Sequence, residues 1–218
     1  MSAGICRRVF IIGSSGVGKS TLARALAPVL GLPYVPISGQ VAYQKHGVTV
    51  DQAMRDSSVM ASIQRGIADH VGGELERLAS ESAGYVTDRC LDLSVYGSIL
   101  GFPHTHQKVK RVADAMFAHP PAPLALSVTV LFIRPHVDIT RLARAQDGGR
   151  RNQFLTDEWV YRVDGALCHL ARTGVIPNCE EMPAEYTQIS DRLAFAEEAV
   201  MSWQSVQTRK VDSDGVMW

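Results

Sequence analysis

The spacing of apolar and polar positions changes several times along the chain, and each change predicts an element. Val9-Phe10-Ile11-Ile12 is an unbroken apolar run of strand type. It stops at Gly13, and beyond a glycine-rich stretch Leu22, Leu26 and Leu30 recur every fourth residue, as one face of a helix does. Gly31-Leu32-Pro33 ends that helix. Tyr34-Val35-Pro36-Ile37 predicts a short second strand, with prolines that suit a strand edge or end. Ser38 to Val50 is polar, either lining a ligand crevice or simply crossing the surface. From Asp51 to Leu78 the stripe Met54, Ile63, Ile67, Val71, Leu75 and Leu78 predicts a long helix that Gly66 and Gly72-Gly73 bend or split. Gln64 and Arg65 sit beside the stripe; Gln64 is placed to face a cleft, and Arg65 reads as solvated.

Tyr85-Val86-Thr87 is the third β-prone run, and Asp92, Leu93 and Tyr96 open another helix. Val109, Val112, Met116 and Phe117 mark the buried stripe of the next one, and His119-Pro120-Pro121-Ala122-Pro123 is a rigid connector. Ser127 to Ile133 is the clearest remaining core strand. Thr156 is placed to cap a helix continuing through Val160, Val163, Leu167 and Leu170. Val175-Ile176 predicts a fifth strand. A closing helix carries Ile189, Leu193, Ala196, Val200 and Trp203 on one face, and the polar residues beyond Gln207 are expected to fray.

With 218 residues and 23.8 kDa, the chain fits one α/β domain with a substantial core. Lys and Arg number 22 and Asp and Glu 22, so no global basic excess marks a nucleic-acid binder, although a local stripe such as Lys108, Lys110 and Arg111 would still serve one. Cys6, Cys90, Cys168 and Cys179 have neither a paired nor a metal-ligand spacing and read as reduced thiols in a cytoplasmic protein. The apolar run after Arg7 and Arg8 is too short for a signal peptide, and no apolar stretch is long enough to cross a bilayer.

The chemistry concentrates where the first strand meets the first helix. Gly13, Ser14, Ser15, Gly16, Val17, Gly18, Lys19, Ser20 and Thr21 match G-x-x-x-x-G-K-[ST], the phosphate-binding P-loop. Its glycines let the backbone approach an anion, and successive N–H groups with the helix N-terminus form a positive nest. Lys19, expected to be an exposed loop lysine, reaches the β- and γ-phosphates of a bound nucleoside triphosphate, and the Ser20 hydroxyl ligates Mg²⁺. Asp88-Arg89 ends the third strand, where P-loop proteins place a carboxylate for the metal or the attacking group; the arginine suits a phosphoryl oxygen. Arg134, Arg141, Arg144, Arg150 and Arg151 surround Asp147-Gly148-Gly149 with few acids nearby, the composition of a flap that closes over phosphates. His104 and His106 lack companion ligands and are read as solvated or substrate-facing.

On those residues the chain resembles the nucleoside and nucleotide kinase group of P-loop proteins, which includes thymidylate kinase, deoxynucleoside kinases and ribosylnicotinamide kinase. It looks most like small ATP-binding proteins of the ribosylnicotinamide-kinase type, many of them phage-encoded. The resemblance rests on Gly13 to Thr21, on Val86-Thr87-Asp88-Arg89-Cys90-Leu91-Asp92-Leu93-Ser94-Val95-Tyr96, and on Asp147 to Arg150. It implies a three-layer α/β fold with a five-stranded parallel sheet and an arginine-rich lid at residues 141–151, in one domain over residues 1–206 with a flexible tail at 207–218. It further implies ATP and Mg²⁺ as cofactors, with Ser20 and Asp88 on the metal. The acceptor would be a nucleoside or nucleotide, with Lys19, Asp88, Arg89, Arg150 and Arg151 in catalysis. Deoxynucleoside kinases carry Glu-Arg-Ser where this chain has Asp88-Arg89-Cys90, a departure from their pattern. A phage branch of the group phosphorylates 5-hydroxymethyluracil within DNA, which makes DNA an alternative acceptor and the host cytoplasm the setting. A non-kinase P-loop switch is the other alternative. A GTPase would need Asn-Lys-x-Asp, which does not occur in the chain, and a ring-forming motor wants an apolar strand ending in paired acids.

Overall fold

In the computed structural model, β1 (Ile5–Gly13) is the hub of the sheet, because both of its faces are buried. The structure describes residues 5–102, 104–118, 125–147 and 152–214; the side chains of 106, 125, 147, 152–153 and 203–214 lie outside that description. Alternate residues of a strand point to opposite faces. Accordingly Phe10 and Ile12 enter one core, and Val9 and Ile11 the other. The second core is closed by α1 (Lys19–Val29) and α9 (Ile189–Asp214). The first is closed by α4 (Ser57–Ala79), α5 (Leu91–Ile99), α6 (His104–Phe117) and α8 (Asp157–Arg172). Helices on both faces of a parallel sheet make three layers.

Among the described residues the sheet has four strands, not the expected five, in the order β2-β1-β3-β4. β1 pairs in parallel with β2 (Tyr85–Thr87) and with β3 (Ala125–Ile133), and β3 pairs with β4 (Cys179–Met182). The predicted strand at Tyr34–Ile37 shrinks to one bridge: Val35 N donates to Val86 O at 2.8 Å and Val86 N to Pro33 O at 3.0 Å. Pro33 and Pro36 flank it with φ locked at about −65°, short of the about −120° of a parallel strand. The predicted strand at Val175-Ile176 is instead the turn that closes α8, where Ile176 N donates to Leu170 O. The real edge strand follows at Cys179-Glu180-Glu181-Met182, whose two acids hide it from an apolar-run reading.

The helix predicted from Asp51 is two helices. α3 (Val50–Met54) ends at Arg55, and Asp56 restarts the chain by accepting from Ser58 N and Val59 N, while Gly66, Gly72 and Gly73 lie inside an unbroken α4. A free aspartate side chain that satisfies two orphan donors is a stronger boundary than a glycine. The polar stretch before them contains α2 (Gln40–His46). Arg8, wholly buried on β1, donates to Met116 O, Ala118 O and Ala79 O, so one cation satisfies carbonyls at the C-terminal ends of α4 and α6. All four cysteines are free thiols. No described helix is long and apolar enough to cross a membrane.

Candidate active site

The phosphate loop is fixed where β1 ends. A Cβ on Gly13 would lie 2.7 Å from Ile133 O, so only glycine lets the chain leave β1 beside β3. Gly16 and Gly18 have φ of +76° and +92°, backbone that L side chains avoid, and α1 begins immediately after. Ser14, Ser15 and Val17 are buried, whereas Thr21 is exposed on the first turn of α1. Ser15 Oγ lies 3.2 Å from Tyr96 Oη, which also donates to Gly13 O. α5 therefore braces the loop from the sheet side.

Contrary to the expectation of an exposed side chain, Lys19 is only 4 % exposed. Its ammonium donates to Gly13 O at 2.7 Å and Ser14 O at 2.6 Å and stands 3.7 Å from Asp92 Oδ2. Burial brings its pKa down to about 7, with the charge of Arg89 adding to the effect and Asp92 and Asp88 opposing it. Asp92, which the sequence offered only as a helix start, is the anion of the site. One oxygen accepts from Arg89 Nη1 at 2.7 Å and the other from Cys90 N at 2.9 Å, and the residue has no exposed surface. Burial works against the charge of Arg89, but the charge and hydrogen bond of Asp92, with Tyr96 and Asp88 adding to them, together outweigh it and the net shift is upward. The i, i+3 spacing of Arg89 and Asp92 was the available signal for this pair.

Asp88 follows β2 directly, and its charge also acts on Lys19. Ser20 Oγ donates to Asp88 Oδ2, and Asp88 Oδ1 is buried without a partner. A hydroxyl beside an aspartate with spare acceptor capacity is an all-oxygen donor set of the kind magnesium takes, so these two residues fit the ion the motif implies. Burial and then the Asp88 carboxylate raise the pKa of Tyr34, which the Val86 bridge holds beside them.

Beyond Asp88 and Arg89 opens a cavity of about 990 Å³. Its walls begin at Ser15 and Ser20 of the phosphate loop and continue along the Ser38–Asp51 stretch, Gln64 and Ile67 of α4, and Leu93, Tyr96 and Phe154. The polar stretch thus lines a crevice, and Gln64, only 3 % exposed, faces it from the buried side of α4. Phe154 and Trp159 were not anticipated. Their ring centroids lie 6.3 and 5.7 Å from that of Tyr96, Phe154 tilted and Trp159 edge-on, an aromatic patch assembled by tertiary packing alone.

The arginine cluster is only partly available. Arg134 makes a two-pronged pair with Asp164, both bonds at 2.8 Å, and also meets Glu181; Arg144 bonds Leu155 O and Asp157. The expectation of few acids nearby is corrected for these two, because α8 and β4 bring carboxylates from later in the chain. Arg141, on α7 (Val137–Asp147), is largely exposed, with Asp138 at 3.9 Å. Gly148, Gly149, Arg150 and Arg151 lie outside the described residues. The basic stripe is likewise paired: Lys108 with Asp69, Lys110 with Asp114 at 2.6 Å, and Arg111 with Glu76 at 2.5 Å.

Solved structures that share this fold include two kinases of small molecules and NadR. Deoxyadenosine kinase from M. mycoides, with dCMP and dCDP bound, superposes with a TM-score of 0.62 at 13% identity, over 89% of this chain and 99% of that one. Shikimate kinase from Acinetobacter baumannii, in complex with shikimate, gives 0.54 at 14% identity, over 91% and 94%. NadR in complex with NR gives 0.61 at 16% identity, over 91% of this chain but 52% of that one. At such identities the likeness establishes the fold. A search of the curated proteins finds no match. The profile of the family described as AAA domain matches residues 8–169, from β1 through most of α8, and so takes in the phosphate loop, Asp88 and Arg89. The chain belongs to that AAA domain family.

Proposed function

We propose that this protein is an ATP- and magnesium-dependent kinase that transfers the γ-phosphoryl group to a hydroxyl or phosphate of a nucleoside- or nucleotide-type acceptor. The observation that carries the reading is the position of Asp88. It accepts from Ser20 of the phosphate loop and stands with it in the wall of the 990 Å³ cavity, which continues from the loop toward α2 and α4. A nucleotide switch needs the loop but has no use for a cavity that runs on from it, past that carboxylate, to Gln64 and Ile67 of α4 and to the Ser38–Asp51 stretch. The kinases that share the fold support the same reading.

In this reading the backbone nest and Lys19 hold the donor phosphates, with Lys19 leaving its carbonyl partners for phosphate oxygens. Ser20 and Asp88 hold the magnesium, which when bound offsets the charge of those phosphates. Asp88 also orients the acceptor hydroxyl; in a loose transition state that orientation counts for more than strong basicity. Arg89, kept in place by Asp92, meets the oxygens of the moving group, and Arg150 and Arg151 close over it from the lid. Tyr96, Phe154 and Ile67 give the acceptor an apolar wall, while Gln64 supplies hydrogen bonds.

A small acceptor is favoured over a base within DNA because 22 basic and 22 acidic residues leave no net positive charge to gather a polyanion. The test is a labelled-ATP screen offering free nucleosides, nucleotides, and DNA with and without hydroxymethylated pyrimidines. Transfer to a free nucleoside or nucleotide is expected. ATP hydrolysis with no acceptor labelled would leave the switch as the better reading.

A further inference from the structure

Arg192, in the first turns of α9 and outside the family match, reaches across the molecule to the phosphate loop. It is 4 % exposed. Its Nη1 donates to Val17 O at 2.6 Å and its Nε to Tyr186 O. Its Nη2 is buried without a partner. Both acceptors are main-chain carbonyls, and among the described residues no carboxylate pairs with it. A guanidinium withdrawn from water with no counter-charge is costly, and a position of that kind calls for an anion close by. The anion-binding nest begins at the same spot: a Cβ on Gly18 would stand 2.9 Å from Arg192 Nη1.

Peptide geometry says what the contact does. In a trans peptide the C=O and the following N–H point in opposite directions. Holding Val17 O toward α9 therefore turns Gly18 N–H the other way, away from α9. Val17 itself is buried, with its Cγ2 3.0 Å from where a Gly13 Cβ would be, so the peptide is gripped at both ends. We infer that Arg192 is a positioning residue of the donor site, a strut that sets the Val17–Gly18 peptide for phosphate and adds a buried positive charge that the phosphates of the donor neutralise. The inference rests on the reading of residues 13–21 as a nucleoside triphosphate site, and it assigns α9 a part in donor binding that neither the motif nor the family match reaches.

Direct binding, without turnover, tests it. ATP and inorganic tripolyphosphate are titrated separately into the wild-type chain, Arg192→Met and Arg192→Lys, with magnesium present and folding checked by circular dichroism. Arg192→Met is expected to bind ATP about tenfold more weakly, as loss of a charge-assisted contact does. Tripolyphosphate should weaken by a similar factor, which places the effect at the phosphates. Arg192→Lys keeps the charge but lacks the fork that holds Val17 O and Tyr186 O together, and is expected to fall between. ATP affinity within roughly twofold of wild type in a folded variant overturns the strut. So does a loss for ATP that tripolyphosphate does not share, since general loosening of α9 would act on the rest of the nucleotide as well. If Arg192→Met does not fold, the same criterion applies to Arg192→Lys. A wild-type chain that binds neither probe would instead overturn the phosphate-loop reading itself.

Discussion

At the scale of single residues, the site is a chain of charges along which each group depends on the next. Lys19 shows it best. Its ammonium is held at about 7 in the folded chain, against 10.5 when exposed, and burial is the main cause. Between those values the unfolded chain binds more protons than the folded one. This group therefore makes stability rise with pH from about 7 to about 10.5, by at most about 1.4 kcal/mol per unit. Lys19→Met should flatten that rise, and denaturant titrations at several pH values would read it; an unchanged slope would mean that the lysine is not desolvated. The same variant should lose two to three orders of magnitude in turnover, about the effect of removing a main electrostatic stabiliser. Asp88→Asn separates from it. The amide keeps the shape and hydrogen-bonding reach of the side chain but loses its charge, so turnover should drop far more than ATP affinity. Parallel loss of both in stopped-flow and equilibrium titrations would assign Asp88 to donor binding instead. Asp92→Ala leaves Arg89 and Lys19 without their buried anion and should cost about 3–5 kcal/mol of stability, measurable by urea denaturation.

At the scale of elements, the parts with a strong local signal were legible in the sequence. The apolar run at Val9–Ile12, the glycine loop, the run at Ser127–Ile133 and the Thr156 cap, whose side chain accepts from Trp159 N, all stand where their patterns place them. What was missed depends on partners far away in sequence. β4 carries Glu180 and Glu181 and is a strand only because β3 lies beside it; Glu181 also has Arg134 to meet. Arg192 sits beside an ordinary apolar stripe, and nothing local reveals Val17 across the fold. The break between α3 and α4 shows a competing rule: Gly66 looked like the weak point, but the Asp56 cap decides the boundary. Asp56→Ala should accordingly lower the denaturation midpoint with an unchanged slope, as loss of a helix cap does. A midpoint that does not move would mean that α4 starts where its packing, rather than its cap, dictates.

At the scale of the whole molecule, the balance of charge bears on the acceptor. With 22 basic and 22 acidic residues there is no long-range field to gather a polyanion, so DNA binding would have to come from a local surface. Lys108, Lys110 and Arg111 on α6 are the evident candidates. Their partners Asp69 and Glu76 lie on α4 and Asp114 on α6, so each cation would have to give up a carboxylate before it could hold a phosphate. Exposed pairs of that kind are worth little, about 0–1 kcal/mol, and salt weakens them. Their weakness makes the experiment discriminating, because a DNA backbone able to displace them would do so easily. Replacing all three with glutamine should leave the apparent affinity for a free nucleoside or nucleotide acceptor within roughly twofold, since the cavity is walled by other elements. Binding to DNA should be weak and nearly independent of added salt in both proteins. A steep fall of DNA binding with salt in the wild type, flattened in the triple variant, would show that phosphates do displace the carboxylates. The acceptor would then be a base carried on a polymer, with the cavity receiving only its reacting end.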